Sequence, residues 1–452
     1  MMGRLSGDQG KFFYDFDLDE HVPSDHVLRR IDAVLDLGWL RAELRPHYSH
    51  TGPPSVDPEL MVRMLLVGYS FGIRSERRLC SEVHLNLAYR WFCRLGLEDR
   101  VPDHSTFSLN RHGRFRESGL LRSVFEDVVR RCMAAGLVGG EGFAIDASVL
   151  EAEASRYQGL PGDGTIDWTD PKLNTRAARE YLAALDPEPD RHRSRPKQVS
   201  PSDPCAAWTA KADKRAQFAY GLNYQVDNDH AILVDVEATP GRTYDEVAAT
   251  RTLVERTEAR LGLKPDRVAA DTAYGTGRML GWLQVRGIEP HIPVWDKSRR
   301  KDGTFSRPDF TYDKERDRYT CPGGKVLKTT GRILSDGTRR YTARTGDCAV
   351  CPLKDQCCPN TTFRKIPRDL HEDARDHARS LVDTEAYKAS RNERKKVEML
   401  FAHLKRHMGF RRLRLRGFSG ANDEFLLAAA AQNLKRLAKH RWKPPPLAPK
   451  AA

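Results

Sequence analysis

Three carboxylates sit where their surroundings argue against them. Asp146 lies in "EGFAIDASVL", whose alternating side chains predict a strand, and Asp271 lies in a second short apolar run, "RVAADTAYG". Asp is depleted in strands, and a partly buried carboxylate is costly unless it is paired or bound to a metal. Glu398 is the single acid in residues 394–417, "RKKVEMLFAHLKRHMGFRRLRLRG", which hold nine Lys or Arg. Two strands and one helix can bring three such acids together. The cluster would repel itself unless divalent cations neutralised it, and an all-oxygen donor set suits Mg²⁺ or Mn²⁺. Two ions about 3.5–4 Å apart would activate a water or hydroxyl and stabilise the leaving oxygen in phosphoryl transfer. Glu398 also has a plainer reading: Arg394 lies four residues before it, and such an ion pair, worth a few tenths of a kcal/mol, needs no metal.

The elements that must position these acids follow from pattern. Val397, Leu400, Phe401, Leu404 and Met408 recur at helical spacing and predict one long helix with that stripe in the core. At 100° per residue, Arg391, Arg394 and Lys405 fall within about 40° of Glu398 at the edge of the stripe. Upstream, residues 20 to about 138 read as helical. Asp57 is a predicted N-cap with Pro58 in the first turn, and Ser75 is a second cap after a turn at Gly72. "PDHSTFSLNRHGRF" opens a further helix. Short helices with tight turns fit either a helix-turn-helix DNA reader or a plain bundle. From residue 139 the pattern becomes mixed α/β. It comprises the Asp146 strand, an irregular stretch over about 152–215, a hairpin turning at Asp227-Asn228-Asp229 and an amphipathic helix. The Asp271 strand, another helix and the strand "IEPHIPVW" complete it. Residues 297–375 interrupt this order with a basic, Cys-bearing segment, and an apolar helix, "NDEFLLAAAAQNLKRLAKH", follows the Glu398 helix.

Five of the nine cysteines lie between 321 and 358. Cys321 with its Gly turn and the pair Cys348–Cys351 resemble zinc knuckles, with Cys357 as the fourth ligand and Cys358 as the alternative. Four thiolates would close a tetrahedral structural zinc site; reduced, metal-free cysteines are the other reading. The odd total argues against a disulfide framework.

The formal net charge is +13. From Lys388 onward there are 17 Lys or Arg against 4 Asp or Glu, whereas the preceding 387 residues carry 58 of each sign. Charge concentrated in this way points to a polyanion, and above all to nucleic acid. The N-terminal stretch lacks the apolar segment of a secretory signal. No apolar run approaches the roughly 20 residues of a membrane span. A cytoplasmic, nucleoid-associated protein is expected.

Taken together, "FAIDASVLEA", "VAADTAYG", the Glu398 helix, "SVDPEL" and "PDHSTFS" resemble the DDE transposases of bacterial insertion sequences, in the branch with a cysteine cluster before the last acid. Resemblance covers roughly residues 20–438. The helix motif of that family is Tyr, two residues, Arg, three residues, Glu, six residues, Lys; Arg394, Glu398 and Lys405 match it, and Arg391 stands at the Tyr position. The resemblance implies a mixed α/β, RNase H-like catalytic domain with an N-terminal all-helical domain and a Cys-bearing insert. The implied divisions are 1–138 (helical, DNA-binding), 139–296 (catalytic, first part), 297–375 (insert), 376–438 (Glu helix and C-terminal helix) and 439–452 (basic, Pro-rich tail). It further implies Mg²⁺ ions on Asp146, Asp271 and Glu398, with hydrolysis at transposon ends followed by transesterification into target DNA. Arg391, Arg394 and Lys405 would lie on DNA near the scissile bond. Arg411, Arg412, Arg414 and Arg416 would grip the backbone, giving affinity and salt dependence rather than sequence choice. The partner would be double-stranded DNA, bound by a homodimer. The rivals are a catalytically silent or domesticated DNA-binding protein and a nuclease that cuts without joining.

Overall fold

A computed structural model describes residues 16–49, 51, 55–162, 166–185, 196–210, 215–296 and 302–441. The tail beyond 441 lies outside the described residues.

The N-terminal part is helical. Helix α1 (Pro58–Phe71) starts at Asp57, whose side chain accepts from the Glu59 and Leu60 N–H groups, and ends at Gly72 in the left-handed conformation, φ 73°. Ser75 caps α2 (Glu76–Leu85), as its sequence predicts, and Asp103 caps α3 (His104–His112). The long α4 (Leu120–Ala134) leads into the sheet.

The main sheet is built from β1 (Gly142–Glu151), β2 (Ala207–Thr209), β3 (Gln217–Asp227), β4 (Leu233–Pro240), β5 (Arg267–Ala269) and β6 (Glu289–His291). The order β3–β1–β5–β6 has β1 antiparallel to β3 but parallel to β5, which is in turn parallel to β6. β2 and β4 both pair with β3. Parallel neighbours need crossover connections. Here α5 (Thr243–Leu261) precedes β5, and α6 (Gly277–Val285) joins β5 to β6. One apolar cluster gathers Ile145, Leu253, Val268, Leu280 and Leu283 from the sheet and these two helices.

A larger cluster is continuous from Leu28 to Ala438 and takes in α1, α4, the β3–β4 hairpin and the C-terminal helices. Its centre is α10 (Gly417–Arg441), which packs on α1, α4 and β4. The apolar stripe forecast for the Glu398 helix belongs to this cluster: Val397, Leu400, Phe401, Leu404 and Met408 are all buried.

Three expectations are corrected. The single long helix around Glu398 is two, α8 (Glu385–Glu393) and α9 (Lys395–Arg406). At the junction the Val397 N–H reaches only the Arg394 carbonyl, at 3.0 Å, so one turn is tightened. Asp271 is not within a strand; it follows β5 and caps a short 3₁₀ turn, its carboxylate accepting the Ala273 N–H at 2.8 Å. The stretch 152–215 is also not wholly irregular. It carries the helix Arg176–Ala183, capped by Thr175, and a two-stranded ladder, Leu160–Pro161 with Gln198–Val199.

Residues 302–371 form a separate small sheet of five antiparallel neighbours: β7 (Thr311–Asp313), β8 (Arg318–Thr320), β9 (Val326–Ile333), β10 (Thr338–Thr342) and β11 (Lys365–Asp369). It returns to the main body through α7 (Glu372–Leu381), which packs on α6. No described helix is long and apolar enough to cross a membrane.

Candidate active site

The parallel register of β1 and β5 pairs Ala144 with Ala269. Two residues further along both segments, Asp146 and Asp271 therefore come side by side. Each is fixed by a backbone N–H at 2.8 Å, Asp146 by Ala147 and Asp271 by Ala273. Helix α9 lies across β1 and presents Glu398 from its first turn. Arg394, at the tightened junction, joins the two sides: its guanidinium is 3.4 Å from Asp146 Oδ2 and 3.5 Å from Glu398 Oε1. Both readings of Glu398 thus meet in one place, because the local ion pair exists and extends to Asp146.

Electrostatics shows the same convergence. Burial lifts the Asp146 carboxyl above its ordinary value; the Ala147 N–H and Arg394 oppose this, and the charges of Asp271 and Glu398 add to it. A carboxylate that is hard to ionise alone is readily ionised beside a cation. The donors are all oxygens, which suits a hard divalent ion. As they stand, however, no three His, Cys, Asp or Glu side chains among the described residues are gathered closely enough to hold an ion. The Arg394 guanidinium fills the gap between Asp146 and Glu398.

Lys405 lies one face further along the same strand. Its amine donates to Ser148 Oγ at 2.6 Å and reaches the Val149 carbonyl at 3.4 Å. Ser148 is two residues from Asp146 and so projects from the same side of β1; that period-two spacing is the sequence signal that marks it. Arg391 and Arg394 line a cleft of about 810 Å³ together with Asp271, His291 and Tyr387. His291 is a site neighbour that no sequence signal singled out, and Tyr387 lies one turn before the family motif's Tyr position, which Arg391 holds.

The basic loop is anchored to the end of β1. The Leu413 N–H donates to the Glu151 carbonyl at 2.7 Å, and the Glu151 N–H donates to the Arg411 carbonyl at 3.2 Å. Buried Glu424 accepts the N–H groups of Arg414 and Leu415 at 2.6 and 2.7 Å, and Asp203 accepts that of Gly417 at 3.0 Å. With the backbone held inward, Arg411, Arg412, Arg414 and Arg416 are all exposed. Arg412 pairs with Glu153 at 3.3 Å and Glu151 at 3.8 Å. The α1–α2 turn abuts this loop: Arg74 donates to the Arg412 carbonyl, and a Cβ on Gly72 would stand 3.0 Å from the Met408 carbonyl oxygen. The helical part and the basic loop therefore share one surface.

Cys321, Cys348, Cys351, Cys357 and Cys358 line a single small cavity, and none is in a disulfide. Trp295, at the entrance to the insert, is 47% exposed.

Two family models match the chain. One, described as a transposase domain (DUF772), covers residues 16–113, the helical part through α3. The other, described as a transposase DDE domain, covers residues 320–438, from the cysteine cluster through Glu398 and the basic loop to α10. Asp146 and Asp271 fall between the two matches. No curated protein matches the chain. A transposase model at each end, on a mixed α/β body with a helical N-terminal region, supports an insertion-sequence DDE transposase.

Proposed function

We propose that this transposase cuts transposon DNA ends and joins them to target DNA by phosphoryl transfer at Asp146, Asp271 and Glu398, on an RNase H-like sheet. The observation that carries the reading is the register of β1 against β5. It sets two acids side by side, with the Glu398 helix tied to them through Arg394. These three carboxylates would hold two Mg²⁺ ions, or Mn²⁺ in their place, which when bound would lower the pKa of a water or hydroxyl and stabilise the leaving oxygen.

The chain's own residues then divide the work. The Ala147 and Ala273 N–H groups orient the two Asp carboxylates. Arg394 exchanges its carboxylate partners for a DNA phosphate as substrate arrives. Lys405, steadied by Ser148, holds a second phosphate along β1. The basic loop is anchored at Glu151, five residues from Asp146, or roughly 17 Å along the strand. Its arginines would therefore grip the duplex about half a helical turn from the scissile bond. Residues 1–138 form the DNA-binding part that shares this surface, 139–296 and 376–438 the catalytic part, and 297–375 the insert. Two ends must be paired, so the working form is a homodimer on DNA, acting at the nucleoid.

The test is strand cleavage of DNA carrying the element's own ends. Asp146→Ala, Asp271→Ala and Glu398→Ala each abolish Mg²⁺-dependent cleavage while DNA binding survives. Cleavage by the triple variant at the wild-type rate would overturn the site and leave a DNA-binding protein. Cleavage without strand-transfer products would make the protein a nuclease.

A further inference from the structure

Cys321, Cys348, Cys351, Cys357 and Cys358 surround a cavity of about 20 Å³. That is space for one water or ion, not for an organic ligand. Three separate turns deliver the thiols. Cys321 opens a Pro-Gly-Gly turn, and its Sγ accepts the Lys325 N–H at 3.2 Å. A Cβ on Gly323 in that turn would stand 3.5 Å from Cys351 Sγ and 3.8 Å from Cys321 Sγ, so sulfurs from two different turns flank one backbone position. Cys348 receives the Arg364 backbone N–H, and its thiol hydrogen-bonds that of Cys358.

The surrounding charge matches a thiolate cluster. Lys325, Lys354 and Arg364 line the cavity against one acid, Asp347. A divalent zinc ion with four thiolates carries a net charge of about −2, which such cations would balance. The insert also lacks a core of its own size: its apolar cluster is little more than Phe310, Tyr319, Leu327, Tyr341, Ile366 and the cysteines. β9, its longest strand, is exposed over most of its length. Small units of this kind rely on a metal or disulfides for stability.

We propose that Cys321, Cys348, Cys351 and Cys358 form a structural zinc site, with Cys358 rather than Cys357 in the fourth place. Cys358 is the thiol that hydrogen-bonds Cys348 directly. The Cys357 thiol meets that of Cys358 rather than that of Cys348, and its carbonyl accepts from Arg364 Nη1 at 2.8 Å. The sulfurs are not drawn to ligating distance as they stand. Zinc would displace the thiol protons and pull four sulfurs to about 2.3 Å from the metal.

The experiment measures zinc per chain in the purified full-length protein by mass spectrometry of the metal, with Cys357→Ser and Cys358→Ser alongside. One zinc per chain is expected in the wild type and in Cys357→Ser, and at least a tenfold loss in Cys358→Ser. A wild-type chain that neither carries zinc nor takes it up on titration would overturn the site. Loss in Cys357→Ser with retention in Cys358→Ser would overturn the ligand assignment. Should either variant fold poorly, Co²⁺ substitution in the wild type decides: four-thiolate charge-transfer absorption supports the site, and a spectrum without thiolate bands refutes it. The carboxylate site uses none of these residues, so zinc content and strand cleavage can fail independently.

Discussion

On the proposed reading Arg394 would compete with metal for the same acids, and its removal is the most revealing perturbation. Its guanidinium lies 3.4 Å from Asp146 and 3.5 Å from Glu398. At an effective dielectric constant of about 20, one such pair has a Coulomb energy of roughly 5 kcal/mol before solvent is considered. Glu398's side chain is 60% exposed, so its share falls to about 0.5 kcal/mol. Asp146 and Arg394 are 17% and 23% exposed, and that pair keeps more. A net competition of about 1–2 kcal/mol follows, or roughly 5–30-fold in an equilibrium constant. Arg394→Ala should therefore tighten Mn²⁺ binding to DNA-free protein by about that factor, measured by electron paramagnetic resonance titration. The same variant should slow strand cleavage, because the phosphate contact is lost. Tightening of binding together with loss of activity is hard to obtain from misfolding. If Mn²⁺ affinity is unchanged or weaker in the variant, Arg394 does not occupy the place of the ion and the reasoning fails.

Two other outcomes follow from the same geometry. Arg414→Ala, an exposed side chain on a backbone held by Glu424, should weaken DNA binding evenly across sequences and lower the slope of log K against log salt by about 0.9; an unchanged slope would remove the loop from the DNA path. Burial raises the Asp203 carboxyl from 3.8 to about 6, against the pull of the Tyr220 hydroxyl and the Gly417 N–H. A group with a raised folded-state value stabilises the fold fully below its unfolded value and loses that contribution as pH rises through the folded one. Asp203→Asn should therefore gain on the wild type in denaturant midpoint between about pH 4 and pH 6, by up to about 3 kcal/mol, and a pH-independent difference would refute this.

Much of the scaffold was legible because caps and apolar stripes are local. Asp57 and Ser75 announce their helices, and the stripe from Val397 to Met408 predicts its own burial. The junction at Arg394 was not legible, since no Gly or Pro marks it and its backbone stays helical, φ −53° and ψ −29°. Asp271 was read as a strand residue because the apolar run continues to it, while its own carboxylate closes the turn that ends the strand. The helix Arg176–Ala183 buries only Ala177 and Ala178, and its apolar face, completed by Tyr181 and Leu182, spans barely two turns. The strands of the insert are short and largely exposed, so they leave no period-two signal. Convergence of the acids depends on the parallel β1–β5 register, a long-range pairing that no local pattern encodes. Glu424 and Asp203, which shape the basic loop from a distance, were invisible for the same reason.

The central claim is that Asp146, Asp271 and Glu398 share divalent ions. Anomalous scattering from crystals grown with Mn²⁺ and transposon-end DNA tests it most directly. Peaks within about 2.0–2.2 Å of oxygens from all three side chains are predicted, with Arg394 moved onto a phosphate. Ordered DNA at the cleft with no peak among those carboxylates would contradict the account.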